Sequence, residues 1–504
     1  MGGDNLIIKF TRKIRQRLLT VLTLIILLGG GIYILKPNIV KETSNIEEAK
    51  RNRYTMDVIF DDESKRLMCN QNLTYVNNTG KDIDKIYLHI YPNAFSKKEF
   101  APFEESEMSQ AYPNGFNEGY IDIKNILNNS KTLKYSIKGD KNDILEVNLG
   151  RILKPNEKVS IDFKYNVKLP NCMGRFGYGE STINITNWFP IACVYDDRGW
   201  NLKSYESVGD PFYSETSDFY VKILMPRKYD IGCTGKVISE KNDSEKIFYE
   251  IEANKVRDFA FILSDKFDIQ KDSYKGVAIN TYNLNKDFSE YATEVAYSEK
   301  SYATEVAKDS IKIFSDLFGK YPYDTYSVVA SDFYIGGMEY PNLVMIDSTL
   351  YKENKKFILE YIIAHETAHQ WWYSVIGNDE ISEPWLDEAL TEYSTVLYFE
   401  NKYGNGVGEK LIKTMEVQSK NYLCHNIFKS TTQYKDSTEY SLNVYTKGAV
   451  ILNEVRNKVG DEVFFNTLKE YYNRYMYENV NGAKFVEVWK EKGIDLDKII
   501  SEYK

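Results

Sequence analysis

Two rhythms of apolar and polar residues divide the chain. From about Tyr54 to Phe267 short alternating runs are broken by turn residues, the period-two signal of strands. In Lys85–Tyr91 the residues Ile86, Leu88 and Ile90 share one face. His89 falls on the other with Tyr87 and Tyr91, and is expected to be a surface or internally satisfied histidine, not a ligand. Phe219–Met225, stopped by Pro226, is another predicted strand. Leu153–Lys158 reads as a turn. Regular strands with such turn signals predict a β-sandwich-like or open-barrel domain over residues 54–270.

Past residue 270 the period lengthens. Ser289–Phe318 reads as a long amphipathic helix. Within it Tyr291–Ala296 recurs as Tyr302–Ala307, an eleven-residue offset close to three helical turns. That suggests a local duplication that lengthened the helix without rotating its buried face. Strand-like Tyr326–Ala330 precedes Phe333–Pro341. Helix-like runs follow at Phe357–Gly377, Glu383–Tyr393 and Asn443–Leu452, with Gly460 ending the last. Ser382 and Pro384 suit the cap and first turn of the second. The fold class is therefore α+β: a β-rich domain at 54–270 ahead of a mostly helical domain at 271–504.

The first 53 residues follow neither rhythm. Leu18–Leu35 carries no charge, and Lys9, Arg12, Lys13, Arg15 and Arg17 precede it. As a helix the run would span about 27 Å, close to the apolar thickness of a bilayer. The expectation is a transmembrane anchor at 18–35, a cytoplasmic basic segment at 1–17 and a polar tether at 36–53. The rest of the chain would then lie outside the cytoplasm as a single-pass membrane protein. A cleaved signal peptide fits less well, because no A-x-A-like site follows.

A net charge of −9, with no basic stripe beyond the N-terminus, argues against a nucleic-acid partner. The five cysteines form no C-x-x-C pair, so they read as small buried side chains rather than metal ligands or a dense disulfide framework.

The chemistry concentrates at His365-Glu366-Thr367-Ala368-His369. On a helix, residues four apart share a face, so the two imidazoles can grip one metal ion while Glu366 reaches a water beside it. Hydrolytic zinc sites usually take three protein ligands. Glu388, on the next helix-like run, is the candidate third. His425 stands alone and is read as no ligand.

These segments together resemble the gluzincin zinc aminopeptidases typified by aminopeptidase N and leukotriene hydrolase, over residue 54 to the C-terminus. His365–Trp372 is similar to that family's zinc helix, and Trp385–Ala389 resembles its W-L-N-E-G segment. Gly336-Gly337-Met338-Glu339-Tyr340 resembles its G-A-M-E-N segment, and Val444–Ala449 the segment holding its catalytic tyrosine. Tyr91–Phe95 and Trp188–Pro190 are similar to segments of bacterial members. The resemblance implies a thermolysin-like catalytic domain and one Zn²⁺ on His365, His369 and Glu388. It implies Glu366 as general base, Tyr445 as oxyanion donor and Glu339 as the clamp for the substrate's α-ammonium. Gly336, Gly337 and Met338 would meet the substrate backbone, and Glu180 is a candidate for a further acid from the β half. The substrates implied are peptides with a free N-terminus. Tyr340 stands where the family usually has Asn, Gly337 where it has Ala, and Asp387 and Ala389 where it has Asn and Gly. Too little chain follows Tyr445 for the large helical C-terminal domain of many members, which predicts a more open cleft. The rival readings are a thermolysin-like endopeptidase, a non-catalytic peptide-binding ectodomain and an epoxide hydrolase that no residue here selects.

Overall fold

Arg53–Asp61 sets the pattern of the β half: Tyr54, Met56, Val58 and Phe60 point inward and the residues between them do not. The computed structural model describes residues 50–284, 293–421 and 426–501. Arg53–Asp61 pairs antiparallel with Arg66–Val76 on one side and parallel with Ser217–Pro226 on the other, near the centre of an eight-stranded sheet. Two four-stranded sheets and a two-stranded ribbon, Tyr195–Asp196 with Gly199–Trp200, complete this half. One four-stranded sheet contains Ile83–His89 and Ile144–Leu153, the other Ile183–Ile185 and Phe261–Ser264. Their apolar faces meet in a core rich in aromatics, including Tyr54 stacked on Phe219 at 4.7 Å. His89 is not at the surface. It is buried and stacked on Tyr91 at 4.7 Å, because the second face of its strand, half-open at Lys85 and Tyr87, is covered at this end.

A five-stranded sheet links the two halves, in the order Phe267–Tyr274, Val277–Leu284, Thr325–Ser331, Leu343–Asp347, Gly337–Met338. Its three inner strands are parallel and its ends antiparallel. Leu343 and Met345 enter the core of the β half, whereas Val344 and Ile346 enter a second core among the helices. That two-sided burial explains the unbroken apolar run of Leu343–Ile346. Because the sheet is shared in this way, residues 50–504 form one compact unit.

The longer helices are α1 (Thr293–Phe318), α2 (Lys356–Ala368), α3 (Trp385–Tyr403), α4 (Asn405–Asn421), α5 (Gly448–Val459), α6 (Asp461–Tyr475) and α7 (Gly482–Glu491). From Thr293 on, α1 is continuous across the two copies of the repeat. The link between α2 and α3 is fastened to the β half. Buried Arg257 donates to the carbonyls of Tyr373 (2.8 Å) and Glu478 (2.7 Å). Asp379 accepts from Arg198 (2.8 Å) and Lys203 (2.9 Å). Ser382 does not cap α3 as expected; its hydroxyl accepts from Arg198, and Pro384 occupies the N-cap position.

The expected membrane anchor needs correction. Among the described residues no helix is long and apolar enough to cross a membrane. The longest, α1, carries Glu305, Lys308, Asp309, Lys312 and Asp316. The run 18–35, on which the single-pass arrangement and its cytoplasmic N-terminus rested, lies outside the described residues, as do His425 and Cys424. The other four cysteines are buried free thiols.

Candidate metal centre and active site

Two helix faces make the centre. On α2 and its C-cap, Tyr361, His365 and His369 follow one another a turn apart. On α3, Glu388 and Glu392 do the same. Glu388 Oε2 lies 3.4 Å from His365 Nε2 and 3.3 Å from His369 Nε2. Tetrahedral donors about 2.0–2.1 Å from an ion stand about 3.3–3.4 Å from one another, so both histidine–glutamate distances have the spacing of a zinc site, and all three donors lie within 4.8 Å of one another. Glu388 Oε2 has no hydrogen-bond partner, which leaves its lone pairs for a cation.

The outer ring nitrogens fix the tautomers. His365 Nδ1 lies 3.0 Å from Glu392 Oε2, and His369 Nδ1 3.2 Å from the Trp372 carbonyl. Both partners can only accept, so each Nδ1 carries the proton and each Nε2 presents a lone pair. Tyr361 donates to the other oxygen of Glu392.

Glu366 is buried with Oε2 unpartnered. Burial pushes its carboxyl up to about 7, against the opposing pull of His365 and His369. Across from it runs the edge strand Gly337–Met338. A β-carbon at Gly337 would lie 2.2 Å from Glu366 Oε1, so a side chain there requires the Glu366 carboxylate to shift. Gly336 before it has φ +106°, a region L side chains avoid. The strand delivers Glu339, also buried, whose Oε1 has no partner. Tyr445 sits on a π-helical turn, Leu442–Lys447, and donates to Glu388 Oε1 at 2.5 Å. Burial and the nearby Glu388 raise its phenol well above the ordinary range, so it stays a proton donor.

The turn carrying Tyr445 is brought in by α5, whose Gly448 packs on Ala389 of α3. A β-carbon at Gly448 would lie 2.5 Å from Ala389 Cβ. The alanine at 389 is thus accommodated by the glycine opposite. Gly448→Ala is expected to cost about 1–3 kcal/mol by overpacking and to draw Tyr445 away from the centre. A thermal melt and kcat should fall together.

Sequence reasoning missed three groups. Glu180 is exposed and absent from the cavity lining; the acid contributed by the β half is Asp210. Asp210 is buried, ion-paired with Arg175, and has a carboxylate oxygen within 4.8 Å of oxygens of Glu339 and Glu388. Glu392 and Tyr361 were legible only as helix periodicity. All of these groups line one cavity of 420 Å³. Burial and mutual repulsion raise the carboxyls of Asp210, Glu339 and Asp387. Glu388 moves the other way: burial would raise it, but His369 and His365 pull it below the carboxylate range. A divalent cation among these groups would offset the repulsion.

Two histidines four apart, a glutamate from the next helix and a carboxylate beside the first histidine are the ligand set and base that hydrolytic zinc sites of the H-E-x-x-H kind use. Residues 302–503 match the Peptidase family M1 domain. Endoplasmic reticulum aminopeptidase 1 of Mus musculus is 28% identical over 245 residues, covering 46% of this chain and 25% of that protein. Probable aminopeptidase 1 of Sulfurisphaera tokodaii is 23% identical over 406 residues, covering 76% of this chain and 48% of that protein. The chain thus spans from a quarter to about half the length of these curated relatives. An M1 zinc metallopeptidase from Deinococcus radiodurans shares the fold at a TM-score of 0.61 and 15% identity, with 90% of this chain and 93% of that one covered.

Proposed function

We propose that this chain is a zinc aminopeptidase that releases single residues from the free N-termini of peptides. In this reading residues 54–270 form the β-rich domain and 271–504 a thermolysin-like peptidase domain. The observation that carries it is Glu339, a buried carboxylate with an unpartnered oxygen, facing the same space as Asp210 beside the metal donors. An α-ammonium brings one positive charge and three N–H donors, which such a pair of acids suits. An endopeptidase substrate carries no charge there, so that alternative is not favoured. The aminopeptidases among the relatives point the same way. A mutant of the Deinococcus enzyme was solved with a Tyr-Ser-Ala substrate.

His365, His369 and Glu388 would hold a zinc ion, which when bound would supply a Lewis acid for the carbonyl and for water, whose pKa such an ion lowers toward about 7. Glu366 takes the proton from the attacking water and returns it to the leaving amine. Tyr445 donates to the oxyanion. The backbone of Gly336, Gly337 and Met338 offers an open strand edge to the peptide main chain. Glu339 and Asp210 hold the ammonium, which sets the cut after the first residue.

The test compares an aminoacyl anilide with its N-acetylated twin. Faster cleavage of the blocked compound would reverse the reading. Stripping the zinc with a chelator should abolish turnover and lower the melting temperature, and added Zn²⁺ should restore both. At a thousandfold excess over its dissociation constant a bound ion stabilises by about 4 kcal/mol. Activity that survives complete zinc removal would refute the mechanism.

A further inference from the structure

We propose that Glu392, held in place by Tyr361, is a positioning residue that aims His365 at the metal, so that zinc affinity is set from one turn outside the ligand set. The inference rests on the zinc site of the reading above.

Glu392 lies one turn beyond Glu388 on α3, and Tyr361 one turn before His365 on α2. Packing α2 against α3 therefore brings a second pair together wherever it brings the ligand pair together. Glu392 is buried and uses both oxygens. Oε2 accepts from His365 Nδ1 at 3.0 Å, and Oε1 accepts from the Tyr361 hydroxyl. Neither oxygen is left to swing toward the metal. Tyr361 is fixed in turn, its ring stacked on Phe399 at 5.8 Å.

The two ligand histidines are thus supported differently. His369 rests on a backbone carbonyl and the Thr391 hydroxyl (3.1 Å), both neutral. Only His365 has an anion behind it among the described residues. A charged acceptor on Nδ1 makes the imidazole a stronger donor at Nε2 and holds the ring in one orientation. A carboxylate that merely filled space between helices would need no such alignment. Glu400, two turns further along α3, shows that ordinary case: it pairs with Arg456 of α5, and both lie clear of the cavity lining.

The experiment measures the Zn²⁺ dissociation constant of the full chain by competition with a chromophoric chelator, without substrate. The variants are Glu392→Gln, Tyr361→Phe and, as control, Glu400→Gln. Losing an outer partner of a ligating histidine typically weakens metal binding about 10–100-fold, the loss expected for Glu392→Gln. Tyr361→Phe should weaken it less, and Glu400→Gln should leave it unchanged. The visible spectrum of the Co²⁺-loaded protein should shift in the first two variants and not in the control. An unchanged constant in folded Glu392→Gln overturns the proposal. Should that variant fail to fold, an unchanged constant in Tyr361→Phe overturns it instead. Because no peptide is present, a parent protein that binds zinc but cleaves nothing would sink the proposed reaction and leave this result standing.

Discussion

Glu366→Gln leaves zinc in place and stops turnover. The substitution is isosteric, and Oε2 has no hydrogen-bond partner to lose, so the histidines and Glu388 should stay where they are. What disappears is a carboxylate that can accept a proton and give it back. General acid–base catalysis contributes about 10²–10⁴-fold, and the loss in kcat should fall in that range or beyond. Metal analysis of the same sample should return one zinc per chain. A variant that keeps zinc and retains most of its activity would move the base elsewhere.

Glu339→Ala should erase the enzyme's preference for free amines without stopping the chemistry. Hydrogen bonds to charged groups contribute about 1.5–3 kcal/mol, roughly one to two orders of magnitude in kcat/KM for an unblocked substrate. The acetylated twin never used that contact, so its value should hardly change. The ratio between the two substrates is the informative measurement. Asp210 remains in the variant and should preserve some discrimination, which Asp210→Asn in the same background would remove. A uniform fall for both substrates would instead make Glu339 a structural acid.

Much of this site was legible along the chain because helices repeat every turn. His365 and His369 announce a shared face by spacing alone, and Glu388 is found by asking where the next helix must turn back. The alternation in Arg53–Asp61 and Lys158–Lys168 likewise marks inward and outward sides correctly. What spacing cannot convey is closure in three dimensions. Asp210 comes from a loop of the β half with no local motif, and only the docking of that half brings it beside Glu339. His89 was placed on the right face of its strand and in the wrong environment, since alternation separates two faces without saying whether both are covered. Ser382 looked like a cap because hydroxyls favour such positions, but Arg198, from far away in sequence, claimed it.

The contact between Gly337 and Glu366 has a consequence for how this enzyme could diversify. A side chain added at Gly337 has to displace the base, so that position leaves little room to tune preference. Phe103, Tyr205 and the solvent-facing Ile335 line the same cavity. New tastes in substrate should therefore be written on those residues, by drift or by design, sooner than at the glycine.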